Sequence, residues 1–233
     1  AQEDEIAIAN MSDVSFYHGI YFPRAFKENV ERGLFFEGCS TAEIRGWRKQ
    51  FSYFLRKLYL HQEKRPLLIK NPVYTGRFAM LREMFPTAKF IHIHRNPYDV
   101  FVSMRNFYKK LFKELALQNH DHVDIDETIL SVYERVMRAY ERDAADVPSE
   151  QLVELRYDAL DSAPLESIEK IYGALNLPGF SEAEPHFKNY LASVSTFKKN
   201  DFGYSDEAAA KVEARLGYFI EKWGYERPGP KAE

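Results

Sequence analysis

The 233-residue sequence predicts an α/β fold with parallel strands, and three observations carry that reading. Two short apolar runs, Leu67-Leu68-Ile69 and Phe90-Ile91-His92-Ile93, flank a segment with Tyr74, Phe78, Leu81 and Phe85 at helical spacing, the pattern of a βαβ unit. Both runs end in polar residues, Lys70-Asn71-Pro72 and His94-Arg95-Asn96, which a right-handed crossover brings to the same carboxyl edge of a sheet. Hydrophobic content of 45% over this length is enough for one globular domain with a sizeable core.

Taken along the chain, Ile44, Trp47, Phe51, Phe54 and Leu58 mark a first amphipathic helix. The strand at 67–69, the helix through 74–85 and the strand at 90–93 follow. Asn96 is suited to cap the next helix, Pro97 to its first position, and Asp99 to an approximate capping box. Ile129, Tyr133, Val136 and Tyr140 mark another helical core stripe. A further strand is expected at 151–156, then helices at 164–175 and 206–223. No repeat, low-complexity tract or domain linker interrupts residues 1–227, read as a single domain, and Pro228-Gly229-Pro230 opens a frayed tail over 228–233.

The sharpest chemistry lies where the helix starts after Arg95. Free N–H groups and the positive dipole end of a helix favour an anion, and the planar guanidinium of Arg95 suits phosphate oxygens. Ser103 lies on the same helix, roughly 9 Å along its axis from Pro97 at ~1.5 Å per residue. Arg95 and Ser103 together read as a phosphate clamp.

The run Arg95-Asn96-Pro97-Tyr98-Asp99-Val100-Phe101-Val102-Ser103 resembles the sulfotransferase superfamily, enzymes that use 3′-phosphoadenosine 5′-phosphosulfate (PAPS). The longer block from Leu68-Ile69-Lys70-Asn71-Pro72 through Phe85-Pro86-Thr87-Ala88-Lys89-Phe90 is similar to the bacterial branch related to tyrosylprotein sulfotransferases. The resemblance implies a P-loop-NTPase-like three-layer α/β fold, with Arg95 and Ser103 on the 3′-phosphate of the cofactor. Leu155-Arg156-Tyr157-Asp158-Ala159-Leu160 resembles the family segment whose Tyr lies near the adenine, which assigns Tyr157. Phe197-Lys198-Lys199-Asn200 resembles the late basic loop over the nucleotide, making Lys198 and Lys199 second-rank phosphate ligands. The pattern Trp223-Gly224-Tyr225 matches the end of the family's terminal helix.

The same resemblance implies that Glu3 is the general base, with Glu5 as second choice, and that Lys70 stabilises charge on the leaving phosphate oxygen. The scheme calls for no metal and releases adenosine 3′,5′-bisphosphate. The family's Lys/Arg-Ser-Gly-Thr-Thr loop, which cradles the 5′-phosphosulfate, does not occur in the sequence. An N-terminally truncated chain lacking its first strand and phosphate loop, and incomplete for transfer, is therefore expected. Sugar hydroxyls, peptide tyrosines, lipids and small phenols all stay open as acceptors.

Net charge of −3 argues against general nucleic-acid binding. Lys109, Lys110 and Lys113 read as the wet side of a helix. No apolar run approaches the ~20 residues of a membrane helix, and the single Cys39 fits a reducing compartment, for which a cytoplasmic location is expected. Plainer alternatives stand beside each assignment. Arg95 and Ser103 can be a helix-start ion pair and a buried hydroxyl, Lys70 a solvated strand end, and Glu3, Asp4 and Glu5 a solvated acidic stretch. His92 and His94 read as core residues, and Arg77 as either a site neighbour or a surface charge. A P-loop kinase relative would need a Walker loop and a Mg²⁺-binding acid, neither visible; a non-catalytic nucleotide- or partner-binding domain is the other alternative.

Overall fold

The computed structural model describes residues 3–197, 203 and 205–229. In chain order these form α1 (Asp4–Ala9), α2 (Tyr17–Tyr21), α3 (Phe26–Phe35), α4 (Thr41–His61), α5 (Phe78–Met84), β1 (Phe90–His94), α6 (Pro97–Leu115), α7 (Ile125–Ala144), β2 (Leu152–Arg156), α8 (Tyr157–Ser162), α9 (Pro164–Ala174), α10 (Phe180–Ser193) and α11 (Asp206–Lys222). A 3-10 turn, Pro72–Arg77, precedes α5. Strands β1 and β2 pair in parallel, with Phe90 opposite Leu152 and His94 opposite Arg156.

The chain divides into two compact units, Ala1–Arg77 with Asn106–Thr128, and Phe78–Arg105 with Ile129–Glu233. In the first, α4 is opened by the capping box its sequence spells. The Ser40 hydroxyl accepts the Glu43 N–H at 3.3 Å, while the Glu43 carboxylate accepts the Ser40 N–H at 2.7 Å. Its apolar stripe buries Trp47 and Phe51, whose rings stack at 4.9 Å. Phe26 of α3 meets Tyr108 and Phe112 of α6 edge-on at 5.8 and 5.4 Å, aromatic geometry that adds to the burial of area. Lys109, Lys110 and Lys113 are exposed, as a wet helix face requires.

In the second unit, the stripe of α7 packs with α11 over one face of the sheet. Tyr133 meets Phe219 at 5.8 Å and Tyr140 lies against His92 at 3.8 Å. The alternation of β1 sends His92 and His94 inward and leaves Ile91 and Ile93 exposed, so both histidines are core residues. His94 stacks on Trp223 at 4.4 Å. Helix α11 ends in a Schellman arrangement, with the Gly224 N–H donating to Glu221 and the Tyr225 N–H to Ile220. Gly224 takes the left-handed conformation (φ 60°) that this closure demands.

One expected strand does not form. Residues 67–70 carry no strand ladder among the described residues, and Leu68 is 87% exposed. An apolar, extended run is a strand only when a neighbour supplies hydrogen-bond partners, and here β1 pairs with β2 instead. The expected βαβ unit beginning at Leu67 is therefore replaced by the parallel pair β1 and β2, whose crossover contains α6 and α7.

Candidate functional site

The β1/β2 register does most to build the site in the second unit. Because His94 lies opposite Arg156, the next residue on each strand, Arg95 and Tyr157, leaves the sheet side by side at its carboxyl edge, the ligand-binding edge of open α/β sheets. The Arg95 guanidinium sits over the Tyr157 ring at 4.8 Å. Two helices start at the same edge, α6 at Pro97 and α8 at Tyr157. The start of α6 is fixed locally, since the Asn96 side-chain oxygen accepts the Tyr98 N–H at 3.2 Å and Pro97 occupies the first position.

Arg95 is half-exposed, but its Nε atom is buried and has no hydrogen-bond partner. The Asp99 carboxylate stands off at 3.9 Å. Asp99 thus faces Arg95 one turn along, in place of a full capping box, and Ser103 follows one further turn on the same helix face. A cation with an unsatisfied N–H, a hydroxyl at helical spacing and a helix N-terminus form an arrangement able to take an oxyanion. Asp99 is the neighbour with which such an anion would compete.

Beneath this edge, the Arg156 side chain donates to the carbonyls of Trp223 and Gly224 at 2.7 and 3.0 Å and stacks over Tyr225 at 4.2 Å. Arg156 thereby ties the end of β2 to the end of α11. The Tyr225 hydroxyl lies 2.9 Å from His94 Nδ1 and donates to the His94 carbonyl at 3.1 Å. Burial pushes His94 down to about 4. The hydrogen bond from His92 holds Glu154, its opposite number on β2, down at about 2.

In the first unit Asp4 and Glu5 are buried, whereas Glu3 is partly exposed and Lys70 is exposed. Glu3 is hydrogen-bonded to Lys70. Asn71 donates to Asp4 at 3.1 Å and to Glu5 at 3.3 Å, and Glu5 also accepts from Ser15 at 2.8 Å and from Arg77 at 3.3 Å. Three successive acids thus meet Lys70, Asn71 and Arg77 across the fold. Arg77, for which the sequence allows a surface position, is instead buried with its guanidinium over Trp47 at 4.7 Å and Phe36 at 5.0 Å. Burial raises Asp4 to about 6, with the charges of Glu5 and Glu3 adding to the effect and the Asn71 hydrogen bond opposing it.

Of the residues singled out by sequence, Glu3 and Lys70 come together, as do Arg95 and Tyr157. Ser103 lies on α6, and Lys198 and Lys199 fall outside the described residues. Glu5, the second choice for the base, is fully buried among Ser15, Asn71 and Arg77. Sequence reasoning named Asp4 and Asn71 without pairing them and missed Ser15, because no local spacing signals that a loop near residue 71 receives the acids at residues 3–5. Among the described residues no grouping of three or more His, Cys, Asp or Glu side chains is arranged to hold a metal ion.

The family model described as "Sulfotransferase family" matches residues 29–182. The chain belongs to the sulfotransferase family. Two relatives, each named omega-hydroxy-beta-dihydromenaquinone-9 sulfotransferase Stf3, from Mycobacterium bovis (strain ATCC BAA-935 / AF2122/97) and Mycobacterium tuberculosis (strain CDC 1551 / Oshkosh), are 30% identical over 230 residues. The alignments cover 99% of this chain and 59% of each relative, so the chain spans about three-fifths of their length. The crystal structure of sulfotransferase STF9 from Mycobacterium avium is similar in fold, with a TM-score of 0.66 and 16% identity over 89% of this chain and 51% of that one. The α/β fold with a parallel sheet, predicted from sequence, is that of a sulfotransferase.

Proposed function

We propose that this sulfotransferase chain takes PAPS as its donor and binds the 3′-phosphate through Arg95 and Ser103, with Tyr157 against the adenine. The observation that carries the reading is the Arg95 guanidinium, held over Tyr157 at the carboxyl edge of the sheet with a buried N–H that lacks a partner. A phosphate oxygen would supply that partner, and charge-assisted bonds of this kind are among the strong ones. Lys198 and Lys199 are assigned further phosphate contacts, from the motif alone.

In the transfer itself the bond from sulfur to the bridging phosphate oxygen breaks as the acceptor oxygen bonds to sulfur. Glu3 takes the acceptor proton and Lys70 offsets charge on the departing phosphate. Their mutual hydrogen bond supports reading them as a working pair. For the acceptor we favour the hydroxyl of a lipid, on the strength of the menaquinone named for the two Stf3 relatives.

Calorimetry on the chain tests the donor assignment. Adenosine 3′,5′-bisphosphate should bind more tightly than ATP, and Arg95→Ala should weaken it by about 10- to 100-fold, the worth of one or two charged hydrogen bonds. Equal or tighter ATP binding, or an unchanged Arg95→Ala, refutes it. In a transfer assay with radiolabelled PAPS, Glu3→Gln should slow turnover by about 10²-fold with bisphosphate affinity unchanged. A panel of hydroxylated isoprenoid lipid, sugar, tyrosyl peptide and phenol then decides the acceptor.

A further inference from the structure

Helix α4 carries two opposed stripes. Trp47, Phe51, Phe54 and Leu58 recur at intervals of four, three and four residues and face the core, with Trp47 and Phe51 buried. Offset by about half a turn at ~3.6 residues per turn, Lys49, Tyr53, Arg56 and Leu60 recur at the same intervals, and all four are exposed. Arg45 and Lys57, also exposed, extend that stripe. Between Ile44 and Gln62 there are five Lys or Arg residues and no Asp or Glu, in a chain whose net charge is −3. This stretch of α4 therefore carries a local excess of positive charge that the balance of the whole chain does not show.

Apolar surface is interleaved with those cations. Leu60 is 64% exposed, Tyr53 51% and Tyr59 43%, and the Lys57 ammonium lies 5.3 Å from the Tyr53 ring centroid. Lys and Arg stems lie along apolar surface while their heads stay in water, and Tyr pairs an apolar ring with a polar tip. A helix with four outward cations, a Leu and two Tyr matches the boundary between anionic headgroups and acyl chains. Phosphodiester backbones would satisfy the cations, but they give the exposed Leu60 no apolar phase to enter.

We propose that the outer face of α4 is a docking surface for an anionic phospholipid membrane, on which the protein lies peripherally. The inference stands on α4 alone and does not depend on the donor assignment, so either can fail without the other. Its consequence is access to acceptors that reside in a bilayer.

Vesicle flotation of the chain tests it. Phosphatidylcholine vesicles containing about one-third phosphatidylglycerol should carry the protein up the gradient, pure phosphatidylcholine vesicles should not, and added salt should release it. The combined variant R45Q/K49Q/R56Q/K57Q should lose binding on the order of tenfold or more. Y53S/L60S should weaken it by several-fold, with the far-ultraviolet circular dichroism of both variants matching the wild type. Should a variant fold poorly, the salt and lipid-charge dependence of the wild type still tests the proposal. Failure to float with phosphatidylglycerol, indifference to lipid charge or salt, or unchanged binding by the folded four-site variant overturns it. Tighter binding to an oligonucleotide than to the vesicles, lost in that variant, overturns it as well.

Discussion

The Arg77 guanidinium donates to the Glu5 carboxylate across 3.3 Å with both side chains 1% exposed, and two aromatic rings cover the cation. Two of its nitrogens, Nε and Nη2, are buried without hydrogen-bond partners. Such a pair is costly to break and of modest net worth when whole, because each charge has been taken out of water. Arg77→Ala should therefore destabilise the fold by about 3–5 kcal/mol, as should Glu5→Ala, while R77A/E5A should cost clearly less than the sum. Urea titrations of the four proteins measure the coupling, and strict additivity would show that the pair does not act as one.

Asp4, immediately before Glu5, is raised to about 6 by burial. Between its ordinary range near 4 and pH 6 the folded protein keeps a proton that the unfolded chain has lost, so stability should fall as pH rises through that window. The deficit at neutral pH is of order 2–3 kcal/mol. Asp4→Asn keeps an acceptor for Asn71 and should raise stability above pH 6 while flattening the profile. A variant no more stable than the parent at pH 7.5 would count against a buried charge here.

His94 works in the opposite direction. Depressed to about 4, it stays neutral in the folded state while the unfolded chain protonates near 6.5, so stability should drain away as pH falls from 6.5 towards 4. His94→Phe keeps a ring against Trp223 and loses the polar contact with Tyr225. It should be less stable at pH 7.5 but show a shallower loss in acid, followed by tryptophan fluorescence across a pH series.

Gly33 is set by a close approach and not by its backbone angles. A Cβ at this position would lie 2.2 Å from the Phe16 nitrogen, 2.5 Å from its Cα and 2.5 Å from the Ser15 carbonyl carbon. All three are main-chain atoms, which cannot swing aside. Despite the better helix propensity of Ala, Gly33→Ala should destabilise by about 2–4 kcal/mol through overpacking, whereas Gly46→Ala, with open space around it, should be neutral or mildly stabilising. Thermal denaturation of the pair reads the contrast.

Much of the second unit is legible in the sequence because its signals are local. The stripe Ile129, Tyr133, Val136 and Tyr140 has a helical period, and the alternation of β1 puts His92 and His94 on one face by residue spacing alone. The Asn96-Pro97 helix start and the spacing from Arg95 to Ser103 are equally readable, since they are properties of one continuous segment. The strand expected at 67–69 misleads for a physical reason. Its composition meets the apolar requirement, but strand formation depends on a second strand, about which a short run carries no information.

Family, parallel α/β class and helix periods are all written in residues a few positions apart, and the sequence is enough to read them. The burial of Arg77 beside Glu5, the meeting of Glu3 with Lys70 and the placement of Arg95 over Tyr157 belong to the tertiary structure. Each joins positions more than sixty residues apart, and the burial that sets their charges and pairings exists only once the chain has closed those long loops.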